Sequence, residues 1–139
     1  MLWYNLNKNM LTLLLACFLF RGVNKLKKYN VIFHIDETSK AKLVFGNINN
    51  LIKDLGEENL EVELLANSEA VKLMLVDSNE LSEQLKNISL KNVTIAVCAN
   101  SLRQMNLDKE LLLNFCIIVP SGVGELVIKQ TSGYVYIKP

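Results

Sequence analysis

A chain of 139 residues, half of them hydrophobic, has room for one well-packed domain and not for two. Fifteen Lys and Arg against fourteen Asp and Glu leave a net charge of +1 and no charged tail, which removes the electrostatic case for direct nucleic-acid binding through phosphate neutralisation. The cysteines, at 17, 98 and 116, form no Cys-x-x-Cys pair, and the sole histidine is His34, so no metal site, iron–sulfur spacing or disulfide framework can be assembled; free thiols fit a reducing cytosol.

In chain order, the first feature is the apolar block Leu11 to Phe20, well below the roughly 20 residues that span a bilayer as a helix. Lys8 precedes it, while Arg21, Lys25, Lys27 and Lys28 follow, the reverse of the charge order of an export signal. Leu14-Leu-Ala-Cys17 has a faint look of a lipoprotein cleavage site, but Phe18 to Phe20 prolong the apolar run. Membrane anchoring or export through residues 10–20 is therefore the lesser reading. The preferred one makes residues 1–29 an extension, with a mis-called start before about Val23, and residues 30–139 a single domain.

From Asn30 onward short apolar runs alternate with amphipathic segments, which predicts an α/β layer fold. Val31 to Ile35 reads as the first strand. Thr38 or Ser39 caps a helix whose Ala41, Val44, Phe45, Ile48, Leu51, Ile52 and Leu55 share a stripe, and Gly56 ends it. Leu60 to Ala66 is the second strand; because Glu61 and Glu63 alternate with apolar residues, one face is expected to be partly wet and the strand to lie at an edge. Asn67 or Ser68 caps a short helix over Glu69 to Leu75, and Asp77 or Ser78 caps another that carries Leu81, Leu85 and Ile88.

Val93 to Cys98 is the most uniformly apolar strand and is expected at the centre, with helices on both faces. A helix follows from about Ser101, and another starts at Asp108, with Leu107 and Leu112 as a hydrophobic staple. Ile117 to Val119, a helix over Ser121 to Thr131 and a closing strand Tyr134 to Ile137 complete five strands. The expected fold is a three-layer α/β/α sandwich around a mainly parallel five-stranded sheet.

Ligands and chemistry in such sheets gather at the carboxyl ends of the strands. Those ends carry Asp36 and Glu37, Asn67 and Ser68, Cys98 and Asn100, and Ser121 and Gly122. If Asn100 is the N-cap of the next helix, the Cys98 sulfur faces unpaired N–H groups that favour a thiolate, with Arg103 turned back as a further cation. The other reading makes Cys98 a small buried hydrophobe, and composition alone leaves both open. Cys116 opens a strand, so it belongs on the opposite rim, about 13 to 17 Å from Cys98 and beyond disulfide reach. It is expected to be inert. His34 reads as a core residue satisfying a hydrogen bond rather than as a general base, and Asp36 and Glu37 as a solvated approach to a helix. Pro120-Ser-Gly-Val-Gly-Glu125 lacks the third small residue of a dinucleotide fingerprint and is read as a tight turn lining the Cys98 pocket.

His34-Ile-Asp-Glu37, Cys98-Ala-Asn-Ser-Leu-Arg103, Val119-Pro-Ser-Gly-Val-Gly-Glu-Leu126 and the closing Gly133 to Pro139 together resemble the DsrE/DsrF-like proteins, also called the YchN-like group, over residues 30–139. The resemblance implies a small α/β/α domain that forms a homotrimer or hexamer. It also implies relay of sulfur as a cysteine persulfide, with the acting cysteine after the central strand, where Cys98 stands.

The expected function is therefore a cytoplasmic sulfur carrier, with Cys98 as nucleophile and Asn100, Arg103, Ser121, Gly122, Asn67 and Asp36 as the anion or substrate pocket. Its partners would be a protein sulfur donor and a protein acceptor, and it needs no metal or organic cofactor. The rival is a non-catalytic oligomeric module that binds a small anion or a protein partner at the same strand ends.

Overall fold

The computed structural model describes residues 28–76 and 80–139. The apolar block at residues 10–20, Cys17 and the proposed caps Asp77 and Ser78 lie outside them.

Strand β1 (Tyr29–Ile35) is followed by a 3-10 turn and helix α1 (Ala41–Leu55), then by β2 (Leu60–Ala66). Next come a 3-10 segment (Ser68–Met74), α2 (Glu80–Ser89), β3 (Val93–Cys98) and the short α3 (Ala99–Gln104). A 3-10 turn (Lys109–Leu111), β4 (Cys116–Val119), α4 (Gly122–Thr131) and β5 (Val135–Ile137) complete the chain. All five strands are parallel, in the order β4-β3-β2-β1-β5.

The chain crosses from β1 to β4 in one direction and returns to the far side of β1 for β5. Parallel crossovers share one hand, so reversing the direction of travel moves the connecting helix to the other face of the sheet. The core divides accordingly. Val31, Phe33 and Ile35 of β1 and their neighbours on β2 and β3 pack against Val44, Phe45 and Ile48 of α1, Leu85 and Ile88 of α2, Met74 and Leu102. On the opposite face Ile32, Leu65, Ala96 and Val119 meet Leu126 of α4 and Tyr134. The result is the expected three-layer sandwich, with α4, among the described residues, the helix on the second face.

Several local expectations shift. Strand β2 is internal, between β1 and β3, not an edge. Its Glu61 is exposed, but Glu63 is only 1% exposed, because α4 lies over it and brings Lys129 Nζ to 2.8 Å from Oε2. An alternating carboxylate signals a wet face only when no distant cation neutralises it. The helix after β3 begins at Ala99, so Cys98 itself, not Asn100, occupies the N-cap position, and Arg103 lies in the second turn rather than at the third helical position. The segments expected as helices after Asn67 and Asp108 are 3-10. Asp108 still caps its turn by accepting from Glu110 N–H at 3.0 Å.

Candidate functional site

Residues of one strand that differ by two share a face, so Ile32 and His34, Leu65, and Ala96 and Cys98 all point to the α4 side. Cys98 ends β3 and α4 starts just after β4, its neighbour, so the sulfur lies between the starts of α3 and α4. Gly122, the first residue of α4, donates its backbone N–H to Cys98 Sγ at 3.1 Å. Ser121 caps α4 by accepting from Gly124 N–H at 3.2 Å, as expected from the sequence.

Ser101 completes the surroundings of the sulfur. It is buried, and its Oγ accepts from Ser68 N–H at 2.8 Å, which leaves the hydroxyl proton available for Cys98. Ser68 holds a left-handed backbone (φ +48°), so this contact also fixes an unfavourable turn beside Asn67. Burial pushes the Cys98 thiol up, but the Ser101 hydroxyl and the N–H groups of Ser101, Gly122 and Asn100 outweigh it and hold the thiol below its ordinary value. Cys116 has no such donors, and burial pushes it up to about 12. The two cysteines diverge as expected, one at a strand end among helix N-termini and the other at the start of β4 on the opposite rim.

Gly122 is required by close approach. A methyl group on its Cα would lie 3.0 Å from Asn67 Cβ, 3.4 Å from Asn67 Nδ2 and 3.4 Å from Cys98 Cβ. Asn67, Cys98 and Gly122 therefore converge, with Ser121 beside them. Asn67 stands before the 3-10 segment but does not cap it with its side chain. Its Oδ1 instead meets His34 Nε2 at 2.9 Å, and His34 Nδ1 meets Tyr136 Oη at 2.8 Å. His34 thus makes the core hydrogen bonds expected of it and makes them within this site. Its partners, 33 and 102 residues away, leave no local signal beyond sharing the motifs that close β1 and β5.

The other expected pocket residues stand apart from the sulfur. Arg103 turns back as anticipated, but its guanidinium donates to Asn100 Oδ1, and its charge is not among those acting on Cys98. Both residues are exposed, and Arg103 lines a groove of about 340 Å³ with Leu102, Leu107 and Ile118 on the α1 side of the sheet. Asp36 bonds Lys138 Nζ at 2.6 Å, and this ammonium holds its carboxyl below the ordinary range. That makes Asp36 part of a surface ion pair at the same rim. Among the described residues no group of three or more His, Cys, Asp or Glu could hold a metal ion, and no helix is long and apolar enough to cross a membrane.

The motifs that bring these residues together resemble one family, and comparison with known proteins agrees with that resemblance. The model of the DsrE/DsrF-like family matches residues 21–139. The chain belongs to the DsrE/DsrF-like family. Among solved structures of this DsrE/DsrF-like fold, a protein of unknown function from Methanobacterium thermoautotrophicum is 36% identical, with a TM-score of 0.75, covering 81% of this chain and all (100%) of the other. The YchN protein of E. coli, at 15% identity and a TM-score of 0.63, covers 82% of this chain and 100% of its own, and shows the shared fold alone. Comparison with curated proteins gave no match.

Proposed function

We propose that this chain is a sulfur carrier of the cytoplasm that holds a persulfide on Cys98 and passes the outer sulfur to a protein thiol. The Cys98 thiolate attacks the outer sulfur of a donor persulfide; a new S–S bond forms, the donor S–S bond breaks, and the donor leaves as a thiolate. An acceptor thiolate then attacks the outer sulfur of Cys98-S-SH, and Cys98 leaves as thiolate. No electrons are gained or lost overall, and no metal or organic cofactor is required. The observation that carries the reading is the Gly122 N–H directed at Sγ beside the Ser101 hydroxyl, in a family to which such relays are attributed. Protein donor and acceptor partners, and a homotrimer or hexamer, belong to the same reading. Support for self-association comes from the exposed Val123, Val127 and Ile128 of α4.

One observation favours the rival, a non-catalytic oligomeric module that binds an anion or a protein: Cys98 is only 4% exposed. Treatment with polysulfide, alkylation and peptide mass analysis separate the two. A gain of one sulfur confined to the Cys98 peptide supports the carrier. No gain, or equal labelling of Cys98 and Cys116, supports the module.

A further inference from the structure

We infer that Asn67 holds the outer sulfur of the Cys98 persulfide, and that His34 and Tyr136 are positioning residues that decide which end of its amide faces that sulfur. The inference rests on the reading of Cys98 as a carrier and adds the residues that retain the cargo.

The orientation follows from donor and acceptor roles. Asn67 Oδ1 can only accept, so the His34 Nε2 beside it, at 2.9 Å, must carry a proton. In the neutral ring Nδ1 is then an acceptor, and the Tyr136 hydroxyl at 2.8 Å is its donor. His34 is 7% exposed and wedged between these partners, so the arrangement is fixed by packing as well as by hydrogen bonding. With Oδ1 committed to His34, Nδ2 is turned the other way.

Its surroundings on that side are Gly122 and Cys98. Asn67 Nδ2 and Cys98 Cβ each lie 3.4 Å from the point a Gly122 methyl would occupy. Among the described residues Nδ2 has no hydrogen-bond acceptor, although Oδ1 has a partner. A donor that borders, at Gly122, the same point as the Cys98 side chain suits an anion larger than a thiolate. The second sulfur adds a bond of about 2.0 Å and carries the charge away from the donors at Sγ. Asn67 is the neutral donor placed to meet it. A reversed amide would present Oδ1 and repel the same charge, which is why the His34 tautomer matters.

The test follows two readouts on full-length protein. Protein loaded with polysulfide and freed of the excess is mixed with a fixed concentration of dithiothreitol, whose thiolate takes the outer sulfur and releases it as sulfide, and is sampled over time for outer sulfur remaining on the Cys98 peptide. In parallel, the pH dependence of iodoacetamide alkylation is recorded for the sulfur-free thiol. Asn67→Ala and His34→Ala should lose the outer sulfur roughly ten-fold faster, the loss expected for one hydrogen bond to a charged group. Asn67→Asp should lose it faster still. His34→Gln, which can still donate to Oδ1, should recover much of the retention, and Tyr136→Phe should fall between. The thiol's own titration should stay where it is in Asn67→Ala, because the groups that set it lie elsewhere. Loading with unchanged retention in Asn67→Ala overturns this inference alone, and so does a parallel shift of titration and retention, which marks a structural effect. Wild-type protein that accepts no sulfur overturns the carrier reading and this inference with it.

Discussion

Gly122 N–H donates to Cys98 Sγ at 3.1 Å, and a β-carbon at the same glycine would meet Asn67 Cβ at 3.0 Å. The first residue of α4 thus charges the site and leaves no room for a side chain there. Gly122→Ala should push α4 away from β3, raise the thiol's titration and cost about 1–3 kcal/mol of stability through overpacking. Iodoacetamide rates against pH and urea unfolding check the two effects. An unmoved alkylation curve would mean that Gly122 N–H has no part in holding the thiolate.

Ser101 serves two elements through one oxygen, accepting from Ser68 N–H at 2.8 Å while its proton favours the Cys98 thiolate. Ser101→Ala should therefore move the alkylation curve to higher pH. It also leaves Ser68 N–H without its acceptor, at a cost of about 1–3 kcal/mol. Ser101→Thr keeps the hydroxyl and should retain the titration even where the added methyl lowers stability.

Cys116, pushed up to about 12 by burial, should remain a thiol at neutral pH and resist alkylation in the folded protein. Cys116→Ala should leave sulfur uptake as it is in the unsubstituted chain, whereas Cys98→Ala should abolish it. Mass analysis of both peptides after polysulfide treatment checks this directly.

Beneath the far end of α4, Glu63 pairs with Lys129, which also lies 3.9 Å from Glu125 and 4.7 Å from the centre of the Tyr134 ring. Burial pushes Glu63 up despite the Lys129 ammonium, while burial of the more exposed Lys129 is outweighed by Glu63, so Lys129 is raised too. A raised carboxyl binds its proton more tightly in the folded chain, so its contribution is full below the ordinary glutamate range and is lost as pH rises through the folded value. Lys129 contributes below the ordinary lysine range and loses its share only at alkaline pH. Lys129→Met keeps the stem but strands Glu63; it should cost roughly 3–5 kcal/mol at neutral pH and regain part of that in acid. Glu63→Gln should cost much less. Urea midpoints at two pH values would show whether the Lys129→Met loss shrinks on acidification.

The same pair shows where the sequence stops being legible. The α1 stripe, the apolar β3 and the Ser121 cap depend on residues within a few positions of one another, and these three appear where the sequence places them. Whether Glu63 is wet depends on Lys129, far along the chain on α4, so its alternation with apolar neighbours suggested an edge strand that does not exist. The cap position after β3 moved from Asn100 to Cys98 because the helix already starts at Ala99; Cys98 makes no side-chain cap bond there, so cap preferences could not have pointed to it. Cys98, Asn67, Ser121 and Gly122 could be singled out because each ends a strand or opens a helix. His34 and Tyr136 join them only through the return of β5 to the side of β1.

That return also puts α4 on the second face. Leu126 of α4 packs inward on Ile32, Leu65, Ala96 and Val119, while Val123, Val127 and Ile128 of the same helix face outward. Val123 and Val127 are four residues apart and so form one outward stripe, with Tyr136 of β5 also exposed on this face of the sheet. An apolar surface over the helix whose first N–H meets Cys98 Sγ is well placed for self-association, which would join assembly to the enclosure of the thiol. Val123→Lys with Val127→Lys should turn the assembled protein into a monomer by sedimentation, with little change in circular dichroism, since neither side chain is in the core. Iodoacetamide should then reach Cys98 faster at a given pH. Wild-type protein that already sediments as a monomer would end the assembly proposal, and an assembled double variant would move the interface away from α4.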